Sequence, residues 1–217
     1  MKLKLIEELT FGAVGKFVSL QYPVMIFEIE DFHEIKHGVV SEIDEIESML
    51  KKLDYKKDDG GTGAHNALTN AHNIFNFFDS QRPEIQRLRD FWVQAAKIYS
   101  DKVYGEGNKL FFKSWANKLN RFEALKEHVH SAHELFGEAV GFSAHLSIKC
   151  GNNNHTVYRC YCGGQPLEMS IPNKEGQIVV FPSSLPHSTF PNPNHQTRYT
   201  VAGDFAFDKP LVTYRAV

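Results

Sequence analysis

The chain has 217 residues, 42% hydrophobic and 23% charged with 17 Phe, which is the profile of a globular protein with a bulky core and excludes a disordered or fibrous chain. Its 24 basic and 26 acidic side chains give a formal net charge of -2, so there is no electrostatic footprint for nucleic acid or an anionic membrane surface. No apolar run approaches the roughly 18 residues of a membrane span, and charge breaks the start Met1-Lys2-Leu3-Lys4 too early for a secretory signal; a cytoplasmic location is expected.

Tyr22 to Ile29 is rich in β-branched and aromatic residues and predicts an early strand. Ser41 with Asp44 three residues on resembles a capping box, and Ile43, Ile46, Leu50 and Leu53 then share one helical face. Lys56 to Gly63, ending Gly60-Gly61-Thr62-Gly63, predicts a surface loop. It lacks the Gly-Lys-Ser/Thr ending and the preceding strand that a phosphate-binding loop needs. Beyond Pro83, residues Ile85, Leu88, Trp92, Ala95, Tyr99 and Val103 keep a three-four spacing, which predicts a helix from Glu84 to about Tyr104, ended by Gly105 and Gly107.

After residue 110 the texture changes to short apolar runs punctuated by Gly, Asn and Pro, as in a β-sandwich or barrel. Expected strands are Phe111 to Ala116, Gly141 to Lys149, Thr156 to Cys162, Gln177 to Phe181 and Thr197 to Phe207. One domain over 1–217 is expected, with a mainly helical N-terminal half (1–109) carrying the early strand and a β-rich core (110–217). Cys150, Cys160 and Cys162 form no Cys-x-x-Cys pair, and they read as reduced strand residues rather than as a disulfide framework or zinc site.

The chain holds 11 histidines, and neutral imidazole is the commonest metal ligand. His128 and His130 are two apart, which in a strand sends both to one face. His187 follows an apolar strand and a turn in Phe181-Pro182-Ser183-Ser184-Leu185-Pro186-His187. Two close ligands and one distant one are the arrangement by which a barrel closes three side chains on an iron and leaves positions open. Thr197-Arg198-Tyr199-Thr200 lies just beyond, and alternation puts Arg198 and Thr200 on one face. An inward Arg is costly without an anion, and a carboxylate held bidentately is its natural partner. Alone, the histidine cluster reads as a solvated loop; in company with His187 and Arg198 it reads as a site. His65, His72, His155 and His195 lack such company, while His145 sits on a strand expected to line the barrel.

The order His128-x-His130, then Phe181-Pro182-x-x-Leu185-x-His187, then Arg198-x-Thr200 resembles a family of iron- and 2-oxoglutarate-dependent oxygenases, distant relatives of the prolyl 4-hydroxylases with small bacterial and phage members. The resemblance is loose over most of the chain and closer over residues 115 to 207. It implies an α+β fold: a double-stranded β-helix (jelly-roll or cupin-like) core with N-terminal helices packed on it. It also implies His128, His130 and His187 as catalytic Fe(II) ligands, and Arg198 and Thr200 as the holders of the 2-oxoglutarate co-substrate. The implied activity is a dioxygenase, a hydroxylase that couples decarboxylation of 2-oxoglutarate to succinate with C–H oxidation by O2. Position 130 departs from the usual His-x-Asp/Glu, which leaves open sets in which His133, Glu134 or Glu138 replaces one of the first two ligands. The substrate, a small molecule or peptide, and the oligomeric state are not specified. Two other readings stand beside this one: a cupin-like three-histidine metal enzyme without 2-oxoglutarate, and a non-enzymatic metal-binding barrel.

Overall fold

The computed structural model describes residues 1–14, 19–52, 76–130, 140–162, 164–207 and 215–216. The expected Gly60 to Gly63 loop lies outside them. In chain order the elements are β1 (Leu3–Val14), β2 (Ser19–Ile29), α1 (His33–Lys52), a 3-10 turn (Phe77–Asp79) and α2 (Pro83–Tyr104). There follow β3 (Phe111–Leu119), β4 (Val140–Lys149), β5 (His155–Cys162), β6 (Gln165–Pro172), β7 (Gln177–Pro182), β8 (His187–Thr189), β9 (Arg198–Ala206) and β10 (Arg215–Ala216). The strands form a seven-stranded sheet, β1-β2-β7-β4-β9-β3-β10, and a three-stranded sheet, β6-β5-β8. All pairings are antiparallel.

Because strand side chains alternate between faces, each central strand of the large sheet serves two interiors. Met25, Phe27, Ile178, Val180, Ala144, Leu146, Tyr199, Val201 and Phe205 join the helices' buried stripes, Ile35, Val39, Ile43 and Ile46 of α1 with Ile85, Leu88, Trp92 and Tyr99 of α2. Phe142 stacks on Phe205 there at 4.7 Å, a contact worth about 0.5–1.5 kcal/mol beyond area burial. On the opposite face, Val24, Ile26, Val179 and Phe181 pack with Tyr158 and Ile171 of the small sheet and with Leu185. The same face of β3, β4 and β9 is polar yet buried: Asn117, Ser143, His145, Ser147, Arg198, Thr200 and Asp204. That zoning places the site.

The five strands expected after residue 110 are present, and so is the helix over 83–104. Helix α1 starts at His33, eight residues before the expected cap, and Ser41 lies inside it with Oγ donating to Glu45 Oε1 at 3.2 Å. Gly38 disguised the first turns, because glycine is a poor helix former; here a Cβ at 38 would meet the Glu84 side chain at 2.6 Å, so its absence lets α1 and α2 approach. The N-terminal half supplies two long strands to the large sheet as well as helices. Among the described residues no helix is long and apolar enough to cross a membrane.

Candidate metal centre

His128 forms an isolated antiparallel bridge with His187, each backbone N–H donating to the other's carbonyl at 3.0 Å, and His130 N–H donates to Ser183 O at 2.9 Å. These bonds add the 128–130 segment beside β8 and bring its two histidines to His187. One ring nitrogen from each of the three comes within 4.8 Å of the others. Each Nδ1 is already engaged: His128 with Lys126 O at 2.7 Å, His187 with Leu185 O at 3.0 Å, and His130 with Asp204 Oδ1 at 2.7 Å. A carbonyl only accepts, so Nδ1 of His128 and His187 carries the proton and Nε2 keeps its lone pair. Metal-binding histidines are held in this way, with the second ring nitrogen donating to a carbonyl or carboxylate.

Burial and the neighbouring imidazoles oppose protonation. His128 is lowered to about 4, first by burial and then by the charge of His130, and His187 lies well below its ordinary value for the same reasons, with His128 adding to His130. Asp204 is buried, which on its own would raise its carboxyl, but His130, Lys113 and Ser143 outweigh burial and hold it below the ordinary value. The three imidazoles together form a nitrogen donor set that suits iron, zinc, copper or nickel.

Arg198 and Thr200 are buried on the inner face of β9, at 3% and 4% exposure. The Arg198 Nε and Nη1 atoms have no hydrogen-bond partner. In the amide orientation that satisfies Asn173, its carbonyl oxygen accepts from Nη2 at 3.2 Å. Burial lowers the guanidinium to about 10. Two further polar rings lie near both Arg198 and the histidines: Tyr158 stands 5.9 Å from His187 with the rings at 29°, and its hydroxyl meets His145 Nε2 at 2.7 Å. His145 Nδ1 is also buried without a partner. Burial, then the charges of Arg198 and His130, lower His145 to about 3. Burial also raises the Tyr158 phenol well above its ordinary value. The interior therefore offers a guanidinium with two unpartnered nitrogens and uncharged polar groups near it, which fits a carboxylate.

No protein-family model and no curated protein sequence matches the chain. Solved structures match the fold. SnoK, an α-ketoglutarate (2-oxoglutarate)-dependent carbocyclase from nogalamycin biosynthesis, gives a TM-score of 0.59 at 11% identity, covering 89% of this chain and 91% of that one. The nickel complex of the non-haem monooxygenase ThoJ gives 0.53 at 11% identity, over 81% and 69%. The chain shares the fold of these two non-haem enzymes. A Burkholderia pseudomallei oxidoreductase of the 2OG-Fe(II) oxygenase family aligns at 12% identity and TM-score 0.47 over 60% of this chain, which spans 62% of that protein's length.

Within this fold the structure brings His128, His130 and His187 together and places Arg198 and Thr200 on the inner face. His133, Glu134 and Glu138 lie outside the described residues, as do His65 and His72. His155 is half-buried, its Nδ1 3.0 Å from Ser170 Oγ, and exposed His195 lies beside Arg121. Among the described residues, Cys150 and Cys160 are in no disulfide. Sequence reasoning missed Asp204 and Tyr158. The alternation of β9 that put Arg198 and Thr200 inward also puts Asp204 inward, so that one signal was present; Tyr158 reads as an ordinary strand aromatic.

Proposed function

We propose that the chain is an iron(II)- and 2-oxoglutarate-dependent dioxygenase, a hydroxylase of a substrate still to be identified, with its two sheets forming a double-stranded β-helix. The observation that carries this reading is the Arg198 guanidinium, buried with two unpartnered nitrogens in the interior that also holds the three-histidine cluster. In this reading His128, His130 and His187 hold the metal through Nε2. Arg198 binds the far carboxylate of 2-oxoglutarate bidentately, with the Thr200 hydroxyl beside it. Tyr158 and His145 line the path between the two sites and exclude water from it. When bound, metal and co-substrate supply the oxidising chemistry, in which O2 and 2-oxoglutarate yield succinate, carbon dioxide and a hydroxylated carbon. Half-buried His128 and His130 mark the side from which a substrate approaches, and buried His187 the deep side.

The three neutral ligands favour one other reading, a cupin-like three-histidine enzyme that uses no keto acid. It leaves the Arg198 guanidinium without a ligand. His187→Ala tests the ligand set: it is expected to abolish both iron binding and succinate formation from 2-oxoglutarate while the circular dichroism spectrum stays that of the folded chain. Retention of metal and of succinate formation would remove His187 from the site.

A further inference from the structure

The contacts around His130 fix where its ring lies without fixing which nitrogen faces the cavity. The ring is nearly parallel to Trp115 at 5.6 Å and 18° and to His187 at 5.0 Å and 15°. Such stacks tolerate a half-turn of the imidazole about its Cβ–Cγ bond. The hydrogen bond made by one nitrogen decides which atom is left for a metal, and at His130 that bond runs from Nδ1 to Asp204 Oδ1 at 2.7 Å. Asp204 is itself held: it is 5% exposed, and the same oxygen accepts from Ser143 Oγ, its register partner on β4, at 2.8 Å. His128 and His187 rest on main-chain carbonyls, which are uncharged. Three imidazoles bring no negative charge to a dication; the Asp204 carboxylate does, from one hydrogen bond away.

We propose that Asp204 is a positioning residue of the metal centre, holding His130 with Nε2 toward the cavity and supplying the negative charge that the three-histidine set lacks. The proposal rests on the reading of His128, His130 and His187 as metal ligands and assigns a role to a fourth side chain that does not touch the cation.

Anaerobic Co(II) titration of the full chain, followed by visible ligand-field absorption and paired with thermal melts of the metal-free proteins, tests it. Asp204→Asn keeps an acceptor but loses the charge, and is expected to weaken Co(II) binding about tenfold or more and to shift the absorption bands. Asp204→Ala loses orientation as well and should bind more weakly still. Ser143→Ala should move affinity the same way by less, and His187→Ala should bind no Co(II). Unchanged affinity and bands in both Asp204 variants, with His187→Ala silent, would overturn the role of Asp204 and leave the ligand set standing. Failure of the wild-type chain to bind Co(II) would overturn the ligand set and the proposal with it. If Asp204→Ala loses the metal as fully as His187→Ala while His130→Ala keeps it, Asp204 is itself a ligand and the positioning role is wrong. Should the Asp204 variants not fold, an unchanged affinity in Ser143→Ala overturns the proposal.

Discussion

A buried guanidinium with two idle nitrogens costs the fold stability, because each unsatisfied buried donor costs about 1–3 kcal/mol. Such a group persists where a ligand uses it. Arg198→Met, which keeps the stem and removes the charge, is therefore expected to melt at the same temperature as the wild-type chain or higher when both are free of ligand, and to lose the stabilisation that 2-oxoglutarate gives the wild type. Arg198→Lys keeps the charge without the planar fork and should retain only part of that stabilisation. A steep fall in the ligand-free melting temperature of Arg198→Met would make Arg198 a structural residue. Position 130 is the other telling residue. His130→Asp restores a two-histidine, one-carboxylate set, but it faces Asp204, now 2.7 Å from His130 Nδ1. Two facing carboxylates repel, so the double variant His130→Asp with Asp204→Asn should bind Fe(II) more tightly than His130→Asp alone. Equal affinities would mean that the two positions do not meet. The motif residues were legible because their type and spacing carry the chemistry. The contact of Asp204 with His130 was not, because it joins positions 74 residues apart and only the folded sheets bring them together.

At the scale of elements, β9 does most to position the pocket, carrying Arg198, Thr200 and Asp204 on one face. Its outer face is clamped: Tyr199 Oη donates to Asp44 Oδ1 of α1 at 3.0 Å, and Lys118 of β3 reaches Asp44 and Glu47 at 2.7 and 2.6 Å. Gly203 lets β9 lie close to its neighbours, since a Cβ there would stand 2.4 Å from Lys113 O and 3.0 Å from the Trp92 ring. Gly203→Ala must shift backbone, and should destabilise the chain by about 1–3 kcal/mol while also loosening metal binding through Asp204; a melt and a Co(II) titration read both. The elements absent from the sequence reading are edge strands. In strand β1 the adjacent pairs Leu5-Ile6 and Glu7-Glu8 interrupt the alternation, and the register breaks between Leu5 and Glu7. Strand β6 is mostly exposed and carries Pro166 and Pro172, which an edge strand tolerates. Neither buries enough apolar surface to leave a periodic signal. Strands with both faces buried, such as β7 and β9, were legible from their apolar runs.

For the whole molecule, the interior between the sheets is zoned, apolar where β2 and β7 face Tyr158 and Ile171, and polar along β3, β4 and β9. This interior holds three neutral histidines whose protonation burial opposes: His128 at about 4, His145 at about 3, and His187 well below its ordinary 6.5. Depressed folded values mean that the unfolded chain binds more protons below about 6.5, so the stability of the metal-free protein is expected to fall as pH drops from 6.5 toward 4. Bound metal should raise stability above that range and be lost within it. A melting temperature independent of pH over this window would contradict neutral burial. The broad plan, late β-rich core with helices upstream, was legible from texture and periodicity. The zoning was not, because it depends on which strands lie side by side, and β7, β4, β9 and β3 are neighbours out of chain order.

The central claim is that one cavity holds both a metal on three histidines and a keto acid on Arg198. It is tested most directly by adding 2-oxoglutarate to the Fe(II)-loaded chain without oxygen and recording the visible spectrum. The account predicts a charge-transfer band that saturates with 2-oxoglutarate in the wild-type chain, requires higher concentrations in Arg198→Lys, and is absent from His187→Ala. Tight Fe(II) binding with no band at any 2-oxoglutarate concentration would contradict it and favour the three-histidine enzyme that uses no keto acid.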